Sequence, residues 1–195
     1  MDLHSTEGLD ARIGRRIRDE RSRQALSLAE LAERSGVSRA MISKIERGEA
    51  SATAALLGRL CAGLGINLTA LFAPDAAASG PLVRHADQPV WRDPGSGYLR
   101  RTVSPQGVGS SIEITEVLFP PKARVAFEVP WLIRGIDQQV WVLDGVLELT
   151  IGEEVFRLET GDCVHKRLDR PIVYHNPTDA TVRYAVILTM EERKP

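Results

Sequence analysis

Residues 26–48, LSLAELAERSGVSRAMISKIERG, read as two short helices joined by a tight turn. Ser27 with Glu30 makes a capping box: the hydroxyl accepts from the amide three residues on, and the carboxylate reaches back to the Ser27 amide. Leu26 and Leu31 sit at the flanking positions of a hydrophobic staple, so the first helix of the pair should start at Leu28. Leu28, Leu31 and Ala32 have helical spacing. Gly36 follows where a left-handed residue is wanted, and Val37 fills the inside of the turn. Ser38 caps the next helix, and Val37 with Ile42 forms a second staple. Ile42 and Ile45 bury one side, Arg39, Ala40, Ser43 and Lys44 are left facing out, and Gly48 ends the helix.

A helical hairpin in an ordinary bundle shares these caps and staples. What separates the two readings is the placement of basic residues at the start of a short helix, where the positive end of the dipole also faces phosphate. Such a helix fits a DNA major groove.

From about residue 11 to 72 the chain resembles the phage-repressor-like, or XRE-type, helix-turn-helix regulators of bacteria. The resemblance runs through IGRRIRDERSRQALS, LAERSGVSRAMISKIERGEAS and LLGRLCAGLGINLTALF. It implies an all-α five-helix domain in which Leu57, Leu60, Cys61 and Leu64 pack the fourth helix. It also implies that Arg39, Ala40 and Lys44 meet base edges and that Ser43 lies close to phosphate. Leu28 stands where the family often has a Gln that contacts the DNA backbone; that contact would be absent or supplied by Ser27 or Arg47. Ala52 stands where Pro is frequent, which should affect only loop stiffness. The DNA-binding set is then Ser27, Leu28, Ser38, Arg39, Ala40, Ser43, Lys44 and Arg47.

The chain has 195 residues, 43% hydrophobic and 26% charged, with a formal net charge of −1. Those are the proportions of a soluble globular protein of one large or two small domains. No run approaches a membrane span, and MDLHSTEGLD is too polar for a signal peptide, so a cytoplasmic location is expected. Cys61 and Cys163 fall in separate domains and outside any metal-type cluster. The helical half carries a small basic excess and the rest an acidic one. Non-specific DNA binding should therefore be weak, with specificity left to a few base contacts and to dimer symmetry.

Small residues, two prolines and a Gly in APDAAASGP mark a linker, giving domains 1–73 and 82–195 joined by 74–81. Beyond it the period changes to two. Candidate strands are 98–103, 111–119, 124–129, 138–143, 146–151, 155–158, 162–165, 172–175 and 182–190, with Asp144-Gly145 a hairpin turn. Many short strands at regular spacing argue for a sandwich or barrel. The run QQVWVLDGVLELTIGEEVFRLETGDCVH, then PIVYHNPTDATVRYAVI, resembles a cupin, with Gly145, Thr160–Asp162, Asn176-Pro177 and Arg183 on that family's pattern. The resemblance implies an all-β double-stranded β-helix, or jelly-roll, barrel, and the whole chain resembles the XRE–cupin regulators.

Cupin enzymes usually hold a metal with His and Glu. Here the Glu position falls on Gln138, the His pair falls in 131–134, which has no His, and the last His position falls on Ile172. No resident metal or other cofactor is expected, and with the ligands goes the main route to cupin chemistry. His165 and His175 remain on strands; alternation turns Tyr174 inward with Ile172 and His175 outward. Trp131, Arg134, Gln138, Ile172 and Tyr174 would cluster near the lost metal position. An aromatic wall, one cation and one amide suit a small organic anion, with Arg gripping a carboxylate. The same residues read equally well as core filling with Arg134 on a loop. Trp141 fits packing between sheets or protomers.

The expected function is a homodimeric, non-enzymatic transcriptional regulator. It would read a double-stranded operator, with a metal-independent barrel sensing a small-molecule effector. The alternatives are a cupin enzyme with a DNA-binding appendage, and an antitoxin-like repressor whose partner is another protein.

Overall fold

The computed structural model describes residues 4–72, 80–128, 137–167 and 169–189. Five helices come first: α1 (His4–Arg23), α2 (Leu28–Ser35), α3 (Arg39–Glu46), α4 (Ala54–Leu64) and α5 (Leu68–Phe72). A 3-10 turn at His85–Asp87 leads to ten strands: β1 (Val90–Arg92), β2 (Leu99–Thr102), β3 (Ile112–Phe119), β4 (Arg124–Phe127), β5 (Asp137–Asp144), β6 (Leu147–Ile151), β7 (Glu154–Leu158), β8 (Cys163–Arg167), β9 (Ile172–His175) and β10 (Val182–Thr189).

The caps set the helix boundaries. Ser27 Oγ accepts from the Glu30 amide at 3.2 Å while Glu30 Oε2 accepts from the Ser27 amide at 2.7 Å. Gly36 closes α2 at φ 65°, a left-handed conformation that costs a residue with a Cβ. Ser38 caps α3 by accepting from the Met41 amide at 3.3 Å. Leu31, Val37, Ile42, Ile45, Leu57, Leu60, Cys61 and Leu64 all lie in the helical core. α1 is more than a solvated charged face. Arg21 reaches Glu46 at the end of α3 through two bonds of 2.7 and 2.9 Å and also donates to the Leu26 carbonyl. Arg16 donates to the Ala70 carbonyl at 2.7 Å.

The strands form two antiparallel sheets, one ordered β1-β2-β3-β10-β5-β8 and the other β4-β9-β6-β7. From β4 to β10 every consecutive step but the β6–β7 hairpin passes between the sheets, the crossing pattern of a double-stranded β-helix. Period-two alternation decides the faces: Val140 and Val142 on β5 point in and Trp141 points out. Ile172 and Tyr174 turn inward on β9, and His175 lies outside them against Glu148 at 2.9 Å. β8 runs two residues beyond the expected end at 165. β1, three residues between Pro89 and Pro94, carries too little periodicity to be read from sequence.

The linker expected at 74–81 falls largely on residues 73–79, which lie outside the described residues. The elements on either side of it share one core. Phe72 of α5 packs on buried Trp91 of β1 with ring centroids 5.2 Å apart. Asp93, buried just after β1, accepts from the Ala54 amide at 2.7 Å, so the β domain caps α4. Gly58 of α4 lies so close to Phe127 of β4 that a Cβ there would sit 3.0 Å from the ring. Among the described residues, no helix is long and apolar enough to cross a membrane.

Candidate functional site

Two regions have chemistry on offer. The first is the outer side of α3. Ile42 is 0% and Ile45 2% exposed, which anchors the helix to its own domain. Ser27, Ser38, Arg39, Ala40, Lys44 and Arg47 are exposed, and Leu28 and Ser43 are half-buried. All eight expected positions therefore fall on α2, on α3 or on the capping residues that flank them. No carboxylate is within ion-pair distance of Arg39 or Lys44 among the described residues, and the β domain does not cover them. Arg47 differs. Its guanidinium grips Glu49 through bonds of 2.6 and 2.7 Å and also contacts Ser43 Oγ. That pair holds the Glu49 carboxyl below the usual carboxylate range.

The second region is a cavity of about 160 Å³ inside the barrel mouth. Its walls come from both halves of the chain: Gly58 and Cys61 of α4 and Leu68 and Thr69 of α5 face Tyr98, Arg100, Ile172 and Tyr174. Gln138 lines it too, so three of the five expected effector residues meet here. The other two, Trp131 and Arg134, lie outside the described residues. Tyr174 Oη donates to Gln138 Oε1 at 3.4 Å, and the Tyr174 and Tyr184 rings stack with centroids 5.7 Å apart.

The charges in the cavity belong to residues the sequence reading did not single out. Lys166 pairs across from Gln138 in the β5–β8 register and is 4% exposed. Its Nζ lies over the Tyr174 ring, 5.1 Å from the centroid. Burial pushes its pKa down to about 7. Arg100, on β2, is buried and donates from Nη2 to Thr69 Oγ1 of α5 at 3.0 Å, while its guanidinium sits 4.9 Å over Phe72. Among the described residues its Nε has no hydrogen-bond partner. Burial lowers the Arg100 pKa, and Tyr98 and Glu113 act against that shift. Glu113, in contact with Thr69, is itself pushed up by burial. Burial also raises the Tyr98, Tyr174 and Tyr184 hydroxyls, leaving them as hydrogen-bond donors. The signal that could have found Arg100 and Lys166 is strand parity: each sits at an inward position of its strand, Arg100 with Thr102 and Lys166 with Val164.

Gln138 and Ile172, expected at the places of cupin metal ligands, both line the cavity. Among the described residues, no three His, Cys, Asp or Glu side chains come together. His165 is on the outer surface against Asp137 at 3.3 Å, and His175 pairs with Glu148, so the two do not share a site.

A short helix anchored by its apolar side and basic on its open side, set ahead of a double-stranded β-helix, makes a helix-turn-helix domain followed by a cupin-like β domain. Residues 17–71 match the family model described as Helix-turn-helix. Over 178 residues the chain is 27% identical to the HTH-type transcriptional regulator SutR of Escherichia coli (strain K12), covering 91% of this chain and 94% of that one. A crystal structure of an HTH_3 family transcriptional regulator from Vibrio cholerae overlays with a TM-score of 0.75 at 24% identity, covering 95% of this chain and 99% of that one, so both halves share its fold.

Proposed function

We propose that this protein is a sequence-specific DNA-binding transcriptional regulator that works in the cytoplasm as a homodimer, with residues 1–73 as the reading head and 82–195 as the sensor. Arg39, Ala40 and Lys44 read base edges. Ser43 lies close to phosphate, Ser27 or Arg47 supplies the backbone contact that Leu28 lacks, and Ser38, which caps α3, completes the set. The observation that carries the reading is α3 itself, its isoleucines buried and its basic residues open to solvent. Two-fold DNA symmetry requires two copies. The outer face of the six-stranded sheet supports pairing, since Ile112, Ile114 and Trp141 are exposed on it.

The barrel senses a small organic anion without a metal and without turning it over. Two cations are buried in its cavity, and Gln138, Ile172 and Tyr174 stand beside them. An uncompensated buried cation is costly, and an anion offsets that cost. The cavity, about 160 Å³, has room for one small molecule.

The test is selection of an operator from random duplexes, then binding by Arg39→Ala. Loss of about 1–3 kcal/mol with relaxed preference at one base pair is expected. An unchanged preference would remove Arg39 from the reading set. Lys44→Ala separates the two roles of that residue: base reading changes preference, whereas phosphate contact weakens all sequences alike.

A further inference from the structure

Arg100 sits at the seam between α5 and the barrel with donors to spare. Its Nη2 donates to Thr69 Oγ1 at 3.0 Å and its guanidinium lies 4.9 Å over the Phe72 ring, both residues of α5. Among the described residues Nε has no partner, and no carboxylate is within ion-pair distance. Glu113 stands one hydroxyl further off, bonded to Thr69 rather than to the guanidinium. A guanidinium keeps its charge at any ordinary pH, and a buried charge without a counter-charge is costly. The strand register shows what surrounds it. Val117 pairs across from Arg100 and Tyr184 pairs across from Val117, one inward row over β2, β3 and β10. Tyr98 lies two residues before Arg100 on the same face. Its ring is 5.8 Å from Phe119, which is 6.1 Å from Tyr184. Arg100 and both tyrosines line the cavity, and among the described residues neither hydroxyl makes a hydrogen bond. Burial keeps both hydroxyls protonated, and the pull of Arg100 against that shift places them in its field.

We propose that the cavity takes a small monocarboxylic acid with an apolar body, its carboxylate held by Arg100 and by the hydroxyls of Tyr98 and Tyr184. This rests on the reading of the cavity as an organic-anion site and names the anion's class. A carboxylate has about four lone-pair sites; a planar fork fills two, and the two hydroxyls supply further donors. The rest of the ligand meets walls that include Val125, Ile172, Val186 and Leu188, which offer it no hydrogen bond. A second negative charge is disfavoured. Glu128, a carboxylate at the exposed rim, repels it. Lys166 has its own place over the face of Tyr174, and among the described residues no contact joins its amine to the guanidinium. An acid bound in this way rests on the side chain that ties the barrel to α5.

The experiment titrates isobutyrate, isobutyramide, lactate and malonate into the full chain by calorimetry. Isobutyramide keeps the shape of isobutyrate and removes its charge. Lactate exchanges one methyl for a hydroxyl, and malonate carries a second carboxylate. The expected result is one isobutyrate per chain, with isobutyramide and malonate weaker by at least about tenfold and lactate by several-fold. Arg100→Gln should weaken isobutyrate by at least about tenfold. Tyr98→Phe and Tyr184→Phe keep their rings and should each cost several-fold, more for isobutyrate than for isobutyramide, a difference that a packing role would not produce. Malonate or lactate bound more tightly than isobutyrate overturns the class and leaves the anion site standing. So does isobutyrate binding that Arg100→Gln and both Phe variants leave unchanged. Isobutyramide bound as tightly as isobutyrate, or no binding of any of the three acids, overturns both readings. Should Arg100→Gln fail to fold, the ranking of the ligands on the parent and the two Phe variants still decide.

Discussion

Arg47 and Glu49 show how a single neighbour changes what a reading residue can do. The pair is exposed, so it is screened by water and easily exchanged for phosphate. Yet Glu49 also places a negative charge beside a DNA-facing surface. Glu49→Gln should raise affinity several-fold for all sequences alike and steepen the log–log salt dependence by roughly 0.9 if one more phosphate is engaged. Binding titrations at several salt concentrations check this. Lys166 carries a prediction of the opposite kind, inside the protein. Its pKa falls from 10.5 unfolded to about 7 folded. Between those values the unfolded chain holds one more proton, so stability rises with pH across that window, and the penalty is fully present below about pH 7. Lys166→Met should remove the slope. The variant should be more stable than the parent at pH 6, by a few kcal/mol on the order set by about 1.4 kcal/mol per pKa unit, with the gap closing towards pH 10. Urea melts at pH 6, 8 and 10 measure it.

At the scale of elements, local chemistry was readable wherever a residue acts on its own neighbours. Ser27, Gly36 and Ser38 state the ends of α2 and α3 within a few residues, and β5, β9 and β10 show their faces by alternation. What sequence could not show is which inward positions meet across the barrel. Arg100 and Lys166 are charged residues at inward positions, and reading outward from a metal-binding pattern led instead to 131–134. Close approach between helices is equally silent. Gly14 of α1 lies against the backbone carbonyl of Ile45 on α3, so closely that a Cβ would overlap its oxygen. In an isolated helix Gly14→Ala would gain about 1 kcal/mol. Here the overlap with rigid backbone should win, for a net loss of about 1–3 kcal/mol. At about 2–4 °C per kcal/mol for a chain of this size, the melting temperature should fall by several degrees. A rise would mean that α1 and α3 do not approach so closely.

At the scale of the whole molecule, the composition break near residue 73 suggests two independent domains, and the structure joins them. The cavity has one wall from α4 and α5 and the rest from the barrel, while Asp93 of the barrel caps α4 and Arg100 bonds Thr69 of α5. A ligand in such a cavity touches both halves, so its affinity depends on how they are docked. A ligand shifts an equilibrium only through differential affinity for its states, and the coupling between two sites is reciprocal. Operator DNA must therefore change effector affinity by the same factor that effector changes DNA affinity. Asp93 offers the place to cut this link. Asp93→Ala leaves the Ala54 amide buried without an acceptor, a loss of about 1–3 kcal/mol that falls on the docked arrangement. Asp93→Asn retains an acceptor and should lose less. Neither change touches Arg39 or Lys44. In Asp93→Ala the ratio of effector affinities with and without operator should move towards one, while base preference stays as in the parent. An unaltered ratio in a folded Asp93→Ala protein would mean that the halves communicate by some route other than this seam.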